Sequence, residues 1–292
     1  MTTKKNTLPI NTVLINTVLN TALCLLISST TIPAWAEDKA LTRDKTLARF
    51  FEGPQRESAQ KYIDATRSVP DADAVSALYR HAIALENDLL DPINEANSSG
   101  IWPKLEEFTN ADLMLPGVGS GCVAECTYPA LVLDVDFFKT TAATTAEKVD
   151  DAFFALLEEA YGPQVAIADG RVVSYPNFFE RTWDYGGHSL LGSGAHQAVF
   201  ERMDALGSNN PLAKEVGEIR ETLMRDVLET SQCNGLPASK AAAEIGRILE
   251  SATLDDEERR ALTQRRAAFL DPTAYGIQTS CRDLSNCTCN TG

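Results

Sequence analysis

The chain has 292 residues, of which 41 are acidic and 26 are Lys or Arg, so its formal net charge at pH 7 is −15. Such an acidic surface repels nucleic acid and anionic lipid headgroups, whose phosphates attract basic patches, and we expect no nucleic-acid partner. A cationic partner or a bound cation is favoured instead, although acidity also serves solubility alone.

The N-terminus has the three-part pattern of a secretory signal. Two lysines precede an apolar stretch over residues 13–27 that is diluted by Asn and Thr and is too short for a stable membrane anchor. Ala34 and Ala36 then place small residues at the −3 and −1 positions of a cleavage site. We therefore predict a signal peptide over residues 1–36, cleaved after Ala36, and a product in the periplasm or the exterior with no stable membrane anchor.

Cleavage at that point changes the charge balance of the chain. It removes Lys4 and Lys5 and no acidic residue, so the 26 basic residues become 24 against 41 acidic ones. The formal net charge accordingly moves from −15 to −17. The mature protein is thus more acidic than its precursor.

Cysteine usage agrees with an oxidising compartment. An even number of cysteines in the mature chain predicts up to three disulfides among fifteen connectivities. We expect the Cys-rich tail over residues 271–292 to be stapled onto the body, because a terminus poor in apolar residues otherwise frays. The alternative is a thiolate metal site, although the spacings differ from the usual C-x-x-C of structural zinc. The cysteines concerned are Cys122, Cys126, Cys233, Cys281, Cys287 and Cys289.

Helical periodicity recurs along the mature chain. Apolar residues three and four positions apart predict a long helix over 73–90, which Pro92 ends or kinks. Thr144 with Glu147 forms a capping-box pattern ahead of another helix, which Gly162 stops. Further helices are predicted behind Asn210-Pro211, over 237–251 and 254–270 (the latter opened by Thr253 and Asp256), and, as shorter elements, over 39–52, 54–67 and 195–206.

Strand patterns interrupt the helices in the middle of the chain. Asp169-Gly170 separates two β-branched runs and supplies the positive φ angles of a two-residue hairpin turn. Residues 131–138 form a candidate third strand. The predicted fold class is therefore mainly α: a single multi-helix domain over 37–292, stapled by disulfides, with a small β-hairpin or three-stranded ribbon. Segments 110–130 and 176–195 have no period and are predicted as long loops, where function tends to lie.

Two aspartates follow the apolar run of the third strand. In an extended strand Asp134 and Asp136 point to the same face, which suits a Mg²⁺ or Ca²⁺ ligand pair. A strand with its polar face in water explains the same pattern.

The second loop contains the other candidates for chemistry. His188, His196 and the nearby Asp184 are residue types that bind divalent metals and serve in catalysis, although their spacing matches no metalloenzyme signature. His81 supplies a third imidazole only if the fold brings it close. Ser189 lies in a pattern similar to a nucleophile elbow with its last glycine displaced by one position, without the strand and helix that an elbow requires. Ordinary hydrogen bonding by the histidines is the simpler interpretation.

Aromatic residues cluster beside the same loop. Tyr175, Trp183 and Tyr185, together with His188, are candidate binding residues, because Tyr and Trp combine large contact area with a polar tip. Packing of the hairpin against the helices is the alternative explanation.

Two functions follow from these patterns. The first is an exported, non-enzymatic binding protein that engages a protein or a small-molecule ligand through the two loops and needs no cofactor. An inhibitor or immunity-type protein for a basic partner is one form of it. The alternative is a metal-dependent hydrolase in which His188, His196 and an acid (Asp184, Asp134 or Asp136) hold a divalent metal whose bound water is the nucleophile.

Overall fold

The computed structural model describes most of the chain between residues 53 and 271. The described residues are 53–67, 72–98, 100, 102–111, 113, 115–124, 126–146, 148–181, 187–207, 210–229 and 237–271. The predicted signal peptide, the predicted helix over 39–52 and the Cys-rich tail beyond Asp271 lie outside them. None of the helices in the described part is both long enough and apolar enough to cross a membrane.

The described chain is mostly helical and carries a small antiparallel sheet, as the predicted fold class requires. Its helices are α1 (Pro54–Thr66), α2 (Ala72–Ser98), α3 (Trp102–Thr109), α4 (Val135–Ala142), α5 (Val149–Tyr161), α6 (Ala195–Asp204), α7 (Ala213–Glu229), α8 (Ala238–Ser251) and α9 (Asp256–Leu270). Its strands are β1 (Val118–Val123), β2 (Tyr128–Asp134), β3 (Gln164–Ala168), β4 (Arg171–Val172), β5 (Phe179–Arg181) and β6 (Gly187–Ser189).

The strands form a four-stranded sheet and a separate two-stranded ribbon. The sheet order is β1-β2-β3-β4 with every neighbouring pair antiparallel, and β5 pairs with β6. The hairpin turn predicted at Asp169-Gly170 is confirmed, with φ angles of 52° and 68° that join β3 to β4. This sheet has more strands than the hairpin or three-stranded ribbon predicted from the sequence.

Three strands lie in the segments that were predicted as loops. β1 occupies the first segment, and β5 and β6 occupy the second. The sequence of β1 shows no alternation of apolar and polar residues, because glycine occupies one of its positions. A Cβ on Gly121 would lie 2.5 Å from Cγ2 of Val132 on β2, so the Val132 side chain fills the space that a side chain of β1 would take.

The predicted strand over 131–138 is wrong beyond Asp134. The Asp134 carboxylate accepts hydrogen bonds from the backbone N–H groups of Asp136 (3.1 Å) and Phe137 (3.3 Å), so Asp134 is the N-cap of α4. Asp134 and Asp136 therefore do not share a strand face. Asp136 instead lies in the first turn of the helix, with Oδ1 3.8 Å from Nζ of Lys139.

Two other predicted helix boundaries differ from the structure. α2 continues through Pro92 to Ser98, and buried Leu89 before the proline and half-buried Ile93 after it keep the helix packed on the core. α5 begins at Val149 rather than at Thr144, and the Oγ1 of Thr145 instead donates to Asp150 Oδ2 (2.9 Å). Core packing therefore overrides the proline signal in α2, and a local side-chain hydrogen bond takes the place of the predicted cap ahead of α5.

α9 begins with a capping box, but its N-cap is a different residue from the one predicted. Asp255, not Thr253, is its N-cap, and the Asp255 carboxylate accepts hydrogen bonds from the N–H groups of Glu257 and Glu258. The side chain of Glu258 accepts from Asp255 N–H in return (3.0 Å).

Four rings form the centre of the core, and we call this group the aromatic core. Phe154 lies with its ring centroid 5.8 Å from Tyr79, 5.4 Å from Phe138 and 5.2 Å from Phe153. All four are at most 2% exposed, and they join α2, α4 and α5. Aliphatic side chains of β2 and β3 belong to the same buried cluster.

Candidate binding site

A short loop between β6 and α6 is held close to α8, and we call residues 190–194 the glycine loop. Gly192 and Gly194 have φ angles of 105° and 100°, which strongly favour glycine. A Cβ on Gly192 would also approach the backbone N of Ala241 to 3.0 Å. The two glycines thus allow the loop backbone to lie directly against α8.

Glu244 of α8 binds the glycine loop with its carboxylate. It is fully buried and accepts hydrogen bonds from the N–H groups of Gly192, Gly194 (3.1 Å) and Gln197 (3.1 Å). The N–H groups of Gly194, which is the N-cap, and of Gln197 belong to the start of α6, where the first donors of a helix have no partner within the helix. A carboxylate at this end is also stabilised by the helix dipole. Glu244 therefore caps α6 from another helix.

A second carboxylate, Asp226 of α7, lies on the other side of His196. Its Oδ2 accepts the hydroxyl of Ser189 (2.5 Å) and pairs with Nε2 of His196 (2.7 Å). The Nδ1 of His196 is 3.8 Å from Oε1 of Glu244 and makes no hydrogen bond with the residues that the structure describes. Ser189, His196, Asp226 and Glu244 thus form one polar network that connects β6, α6, α7 and α8.

This network differs from a nucleophilic triad in both geometry and access. The Ser189 hydroxyl donates to Asp226 and lies 3.5 Å from Nε2 of His196, whereas a triad requires the histidine to receive the serine proton. Ser189 is also 1% exposed and accepts the N–H of Leu191. The elbow-like sequence around Ser189 therefore forms a structural turn.

A cleft of about 450 Å³ opens beside the network, and we call it the ribbon cleft. The β5–β6 ribbon and the segment over 175–179 form one side, and α7 forms the other. The lining residues are Tyr175, Pro176, Phe178, Phe179, Gly187, His188, Thr222, Arg225, Asp226 and Glu229. The cleft therefore has an aromatic side and a charged side.

The two sides present different groups to a ligand. Tyr175 is 51% exposed and stacks on Phe179, with ring centroids 6.2 Å apart. His188 Nε2 lies 3.0 Å from Glu180 Oε2. On α7, Oδ1 of Asp226 receives no hydrogen bond from the described residues, while Oδ2 receives two. Asp226 thus lines the cleft with one oxygen already fixed and the other available.

The structure places the sequence candidates in several different environments. Tyr175 and His188 line the ribbon cleft, whereas His196 is buried behind it. His81 is exposed on α2. Trp183, Asp184 and Tyr185 lie outside the described residues.

The metal candidates do not converge in the described part of the chain. Within it, no group of three or more His, Cys, Asp or Glu side chains is placed to hold a metal ion. His188 and His196 pair with different carboxylates, and Asp134 caps a helix. No observation therefore favours the metal-dependent hydrolase.

Two of the six cysteines lie among the described residues. Cys122 and Cys126 form a disulfide, with Cα atoms 4.7 Å apart, so their spacing reflects a bridge across a turn rather than a thiolate half-site. The other four cysteines lie outside the described part.

Asp226 and Glu244 were not predicted from the sequence. Glu244 carries a detectable signal, because it falls on the apolar face of α8 between Ala241 and Ile248. A carboxylate at such a position predicts a buried partner. Asp226 carries less signal, since it lies beside Val227 at the border of the apolar face of α7.

Comparison of this chain with protein-family models, with curated proteins and with solved structures found no match.

Proposed function

We propose that this chain is an exported binding protein that holds the cationic group of a ligand or a partner protein in the ribbon cleft. The observation that supports the proposal is the Asp226 carboxylate, which lines the cleft while two donors, Ser189 and His196, fix one of its oxygens. An inhibitor or immunity-type protein that neutralises a basic partner is one form of this function.

Fixing the carboxylate before binding favours a tight and specific contact. A side chain already held in one rotamer loses little conformational freedom when the ligand arrives. The side chain of Asp226 is only 15% exposed, so an ion pair there is less screened by water than a pair on the open surface. The site therefore suits an ammonium or guanidinium group.

The opposite side of the cleft suits the same chemistry. The exposed ring of Tyr175, stacked on Phe179, offers an aromatic face. Aromatic faces attract cations and also cover the methylene stem of a lysine or an arginine. Glu229 adds a second carboxylate to the cleft.

Export and disulfide stapling belong to the same proposal. Cleavage after Ala36 delivers the protein to the periplasm or the exterior, and bridges among the six mature-chain cysteines hold residues 37–292 as a single domain. Intact mass spectrometry of the protein from an oxidising compartment tests this, with a mass that begins at Glu37 and lacks six hydrogens as the expected result. A mass that retains residues 1–36, or six free thiols, would contradict it.

The binding proposal is tested with two matched small ligands. Nα-acetyl-lysine methylamide and Nα-acetyl-norleucine methylamide differ chiefly in the ammonium group, and ¹⁵N NMR titration measures weak binding of either. We expect the lysine ligand to bind saturably, with shifts at the residues of the ribbon cleft, and the norleucine ligand to bind at least tenfold more weakly.

Three variants locate the interaction. Asp226→Asn is expected to weaken binding of the lysine ligand at least tenfold, because it removes the charge while retaining the side-chain shape. Tyr175→Ala leaves the buried network intact and is expected to weaken binding several-fold. Glu250→Gln removes the same charge from an exposed position of α8 and serves as the control. Equal binding of both ligands, or equal losses in Asp226→Asn and Glu250→Gln, would overturn the proposal.

A further inference from the structure

A second cleft, of about 510 Å³, lies between β4 and α7, and we call it the sheet cleft. It is acidic along the α7 side. Its lining residues are Tyr79, Phe153, Leu157, Tyr161, Arg171, Val172, Val173, Glu215, Glu218, Ile219, Glu221, Thr222 and Arg225. Thr222 and Arg225 also line the ribbon cleft, so the two clefts adjoin at these residues.

The two clefts are consecutive parts of one groove. On one side the chain runs from Arg171–Val173 in the sheet cleft to Tyr175–Phe179 in the ribbon cleft. On the other side the lining positions of α7 from Glu215 to Glu229 mostly recur every three or four residues, which places them along one helix face. Fourteen residues of α-helix rise about 21 Å, so the groove is long enough for an extended peptide.

One wall of the groove is a sheet edge that no strand of the described residues pairs with. β4 is the last strand of the four-stranded sheet, and the N–H of Val173 donates to the carbonyl of Ala166 on β3 (2.8 Å). Because backbone groups alternate in direction along a strand, the N–H and C=O of Val172 point away from β3. An exposed edge of this kind accepts a further strand, and main-chain hydrogen bonds then contribute to affinity.

The charge of the groove selects the kind of peptide. Five carboxylates line it from the α7 side, those of Glu215, Glu218, Glu221, Asp226 and Glu229, whereas two arginines line it, Arg171 and Arg225. Glu215 is bonded to Arg80, Oε1 of Glu218 lies 3.4 Å from Nζ of Lys214 in an exposed ion pair, and His188 of the ribbon cleft is paired with Glu180. Three carboxylates, those of Glu221, Asp226 and Glu229, then stand against the two arginines. The remaining excess of negative charge favours a basic partner.

We propose that this groove binds an extended segment of a basic polypeptide, with its main chain beside β4 and basic side chains in both clefts. This proposal rests on the proposed function, since Asp226 anchors one of the two basic groups. Asp226 and Glu218 are eight residues apart on α7, or about 12 Å along the helix axis. An extended peptide advances about 3.3 Å per residue, so the matching basic residues are about four positions apart.

Labelled octapeptides of alanine test this spacing by fluorescence anisotropy. One carries lysine at positions 2 and 6, two controls carry a single lysine at either position, and a third carries glutamate at both. We expect the two-lysine peptide to bind at least tenfold more tightly than either single-lysine peptide, because the second contact is made within an existing complex. The glutamate peptide is expected not to bind.

Variants and modified peptides then assign the two clefts and the edge strand. Glu218→Gln is expected to reduce the advantage of the two-lysine peptide over the single-lysine peptides, whereas the exposed control Glu250→Gln is expected to retain it. Backbone N-methylation of the two-lysine peptide, applied singly at positions 3, 4 and 5, is expected to weaken binding in an alternating pattern, because only every second N–H of an added strand faces β4. Circular dichroism checks that the variant is folded.

The outcomes separate the two proposals. If the lysine ligand binds through Asp226 but the two-lysine peptide gains nothing over the single-lysine peptides, the groove proposal is overturned and the proposed function stands. If all three N-methylations weaken binding equally or not at all, pairing with β4 is overturned. If neither the lysine ligand nor any lysine peptide binds, the proposed function fails as well.

Discussion

The aromatic core is fully buried and the glycine loop is partly exposed, and different forces hold the two regions in place. In the aromatic core, Phe154 and three neighbouring rings contact one another at centroid distances of 5 to 6 Å. In the glycine loop, the backbone has few side chains to pack, and its N–H groups are bound by the carboxylate of Glu244. Packing stabilises the first region, and hydrogen bonding to buried charge stabilises the second.

This difference shows how the fold orders the glycine loop behind the ribbon cleft. A loop built from glycines has high conformational entropy in the unfolded chain, so it needs specific partners to become ordered. Glu244 and Asp226 supply these partners from two different helices. The network therefore sets both the shape of the loop and the position of the carboxylate that lines the ribbon cleft.

The largest effect is expected in the aromatic core. Phe154→Ala removes a fully buried ring and leaves a cavity, which costs about 3–5 kcal/mol in the free energy of unfolding. Urea denaturation followed by circular dichroism measures this loss. Phe154→Leu, which retains most of the volume, is the matched control and is expected to lose clearly less. Equal losses of unfolding free energy in Phe154→Ala and Phe154→Leu would show that the stability of the aromatic core does not depend on the volume that this side chain fills.

The next largest loss of stability is expected when one of the carboxylate oxygens that bind the glycine loop is replaced. Glu244→Gln conserves the volume but replaces one of the two acceptor oxygens with an NH2 group, which cannot accept the N–H groups that this oxygen binds, at a cost of about 2–3 kcal/mol. Hydrogen exchange at Gly194 and Gln197 is expected to accelerate. Glu250→Gln on the same helix is the exposed control. An unchanged exchange rate in Glu244→Gln would show that packing alone orders the loop.

An intermediate effect is expected where α7 meets α9. Both oxygens of Glu258 accept hydrogen bonds from Arg220, at 2.6 and 2.7 Å. The hydrogen bond from Arg220 is the main reason that the pKa of Glu258 is held below its ordinary value of 4.5. Glu258→Gln is therefore expected to cost about 1–2 kcal/mol at pH 7.

The pH dependence of that loss has a definite sign. A depressed pKa means that the stabilisation is present above pH 4.5 and is lost as the pH falls through the lower, folded-state pKa. The difference between wild type and Glu258→Gln should thus shrink on acidification from pH 7 to pH 4. A difference that grows on acidification would contradict the assignment of the ion pair.

The smallest effect is expected at Glu86, with the opposite dependence on pH. Glu86 is 2% exposed and accepts the N–H groups of Asp169 (3.2 Å) and Gly170 (2.8 Å) in the hairpin turn. Burial raises its pKa above 4.5, and the two backbone hydrogen bonds partly oppose that shift. Glu86→Gln is expected to cost about 1 kcal/mol, because one of the two acceptor oxygens is lost.

Because the pKa of Glu86 is raised, its contribution to stability is expected to change with pH in the direction opposite to that of Glu258. The contribution of Glu86 is complete below pH 4.5 and declines as the pH rises through the folded-state pKa. The advantage of wild type over Glu86→Gln should therefore be larger at pH 4 than at pH 7. Parallel urea titrations of the two variants measure the two slopes together, and slopes of the same sign would contradict one of the two assignments.

Local patterns accounted for much of the fold. The hairpin at Asp169-Gly170 was predictable because its turn requires positive φ angles that few residue pairs supply. α1 and α8 were predicted within one or two residues of their observed bounds, because a proline marks the first turn of α1 and apolar periodicity runs along α8. The C-terminal end of α2 and the start of α5 were not, because core packing continues past Pro92 in α2 and the Thr145 hydroxyl bonds Asp150 ahead of α5.

The candidate site was predictable only in part. Tyr175 and His188 were identified because aromatics and histidines beside a glycine-rich segment are uncommon enough to be noticed. Their partners on α7 were not, because Asp226 is 37 residues from Ser189 and 30 residues from His196 in the chain. No periodicity links residues at such separations.

The amino-acid sequence by itself determined the helical class, the hairpin turn and the acidic character, since propensity, turn chemistry and charge depend on neighbouring residues or on composition. Only the tertiary structure decided that Ser189 and His196 bind the Asp226 carboxylate, that Glu244 caps α6 from another helix, and that β4 and α7 line one groove. These contacts join segments that are distant in the chain, and the packing of the whole domain brings them together.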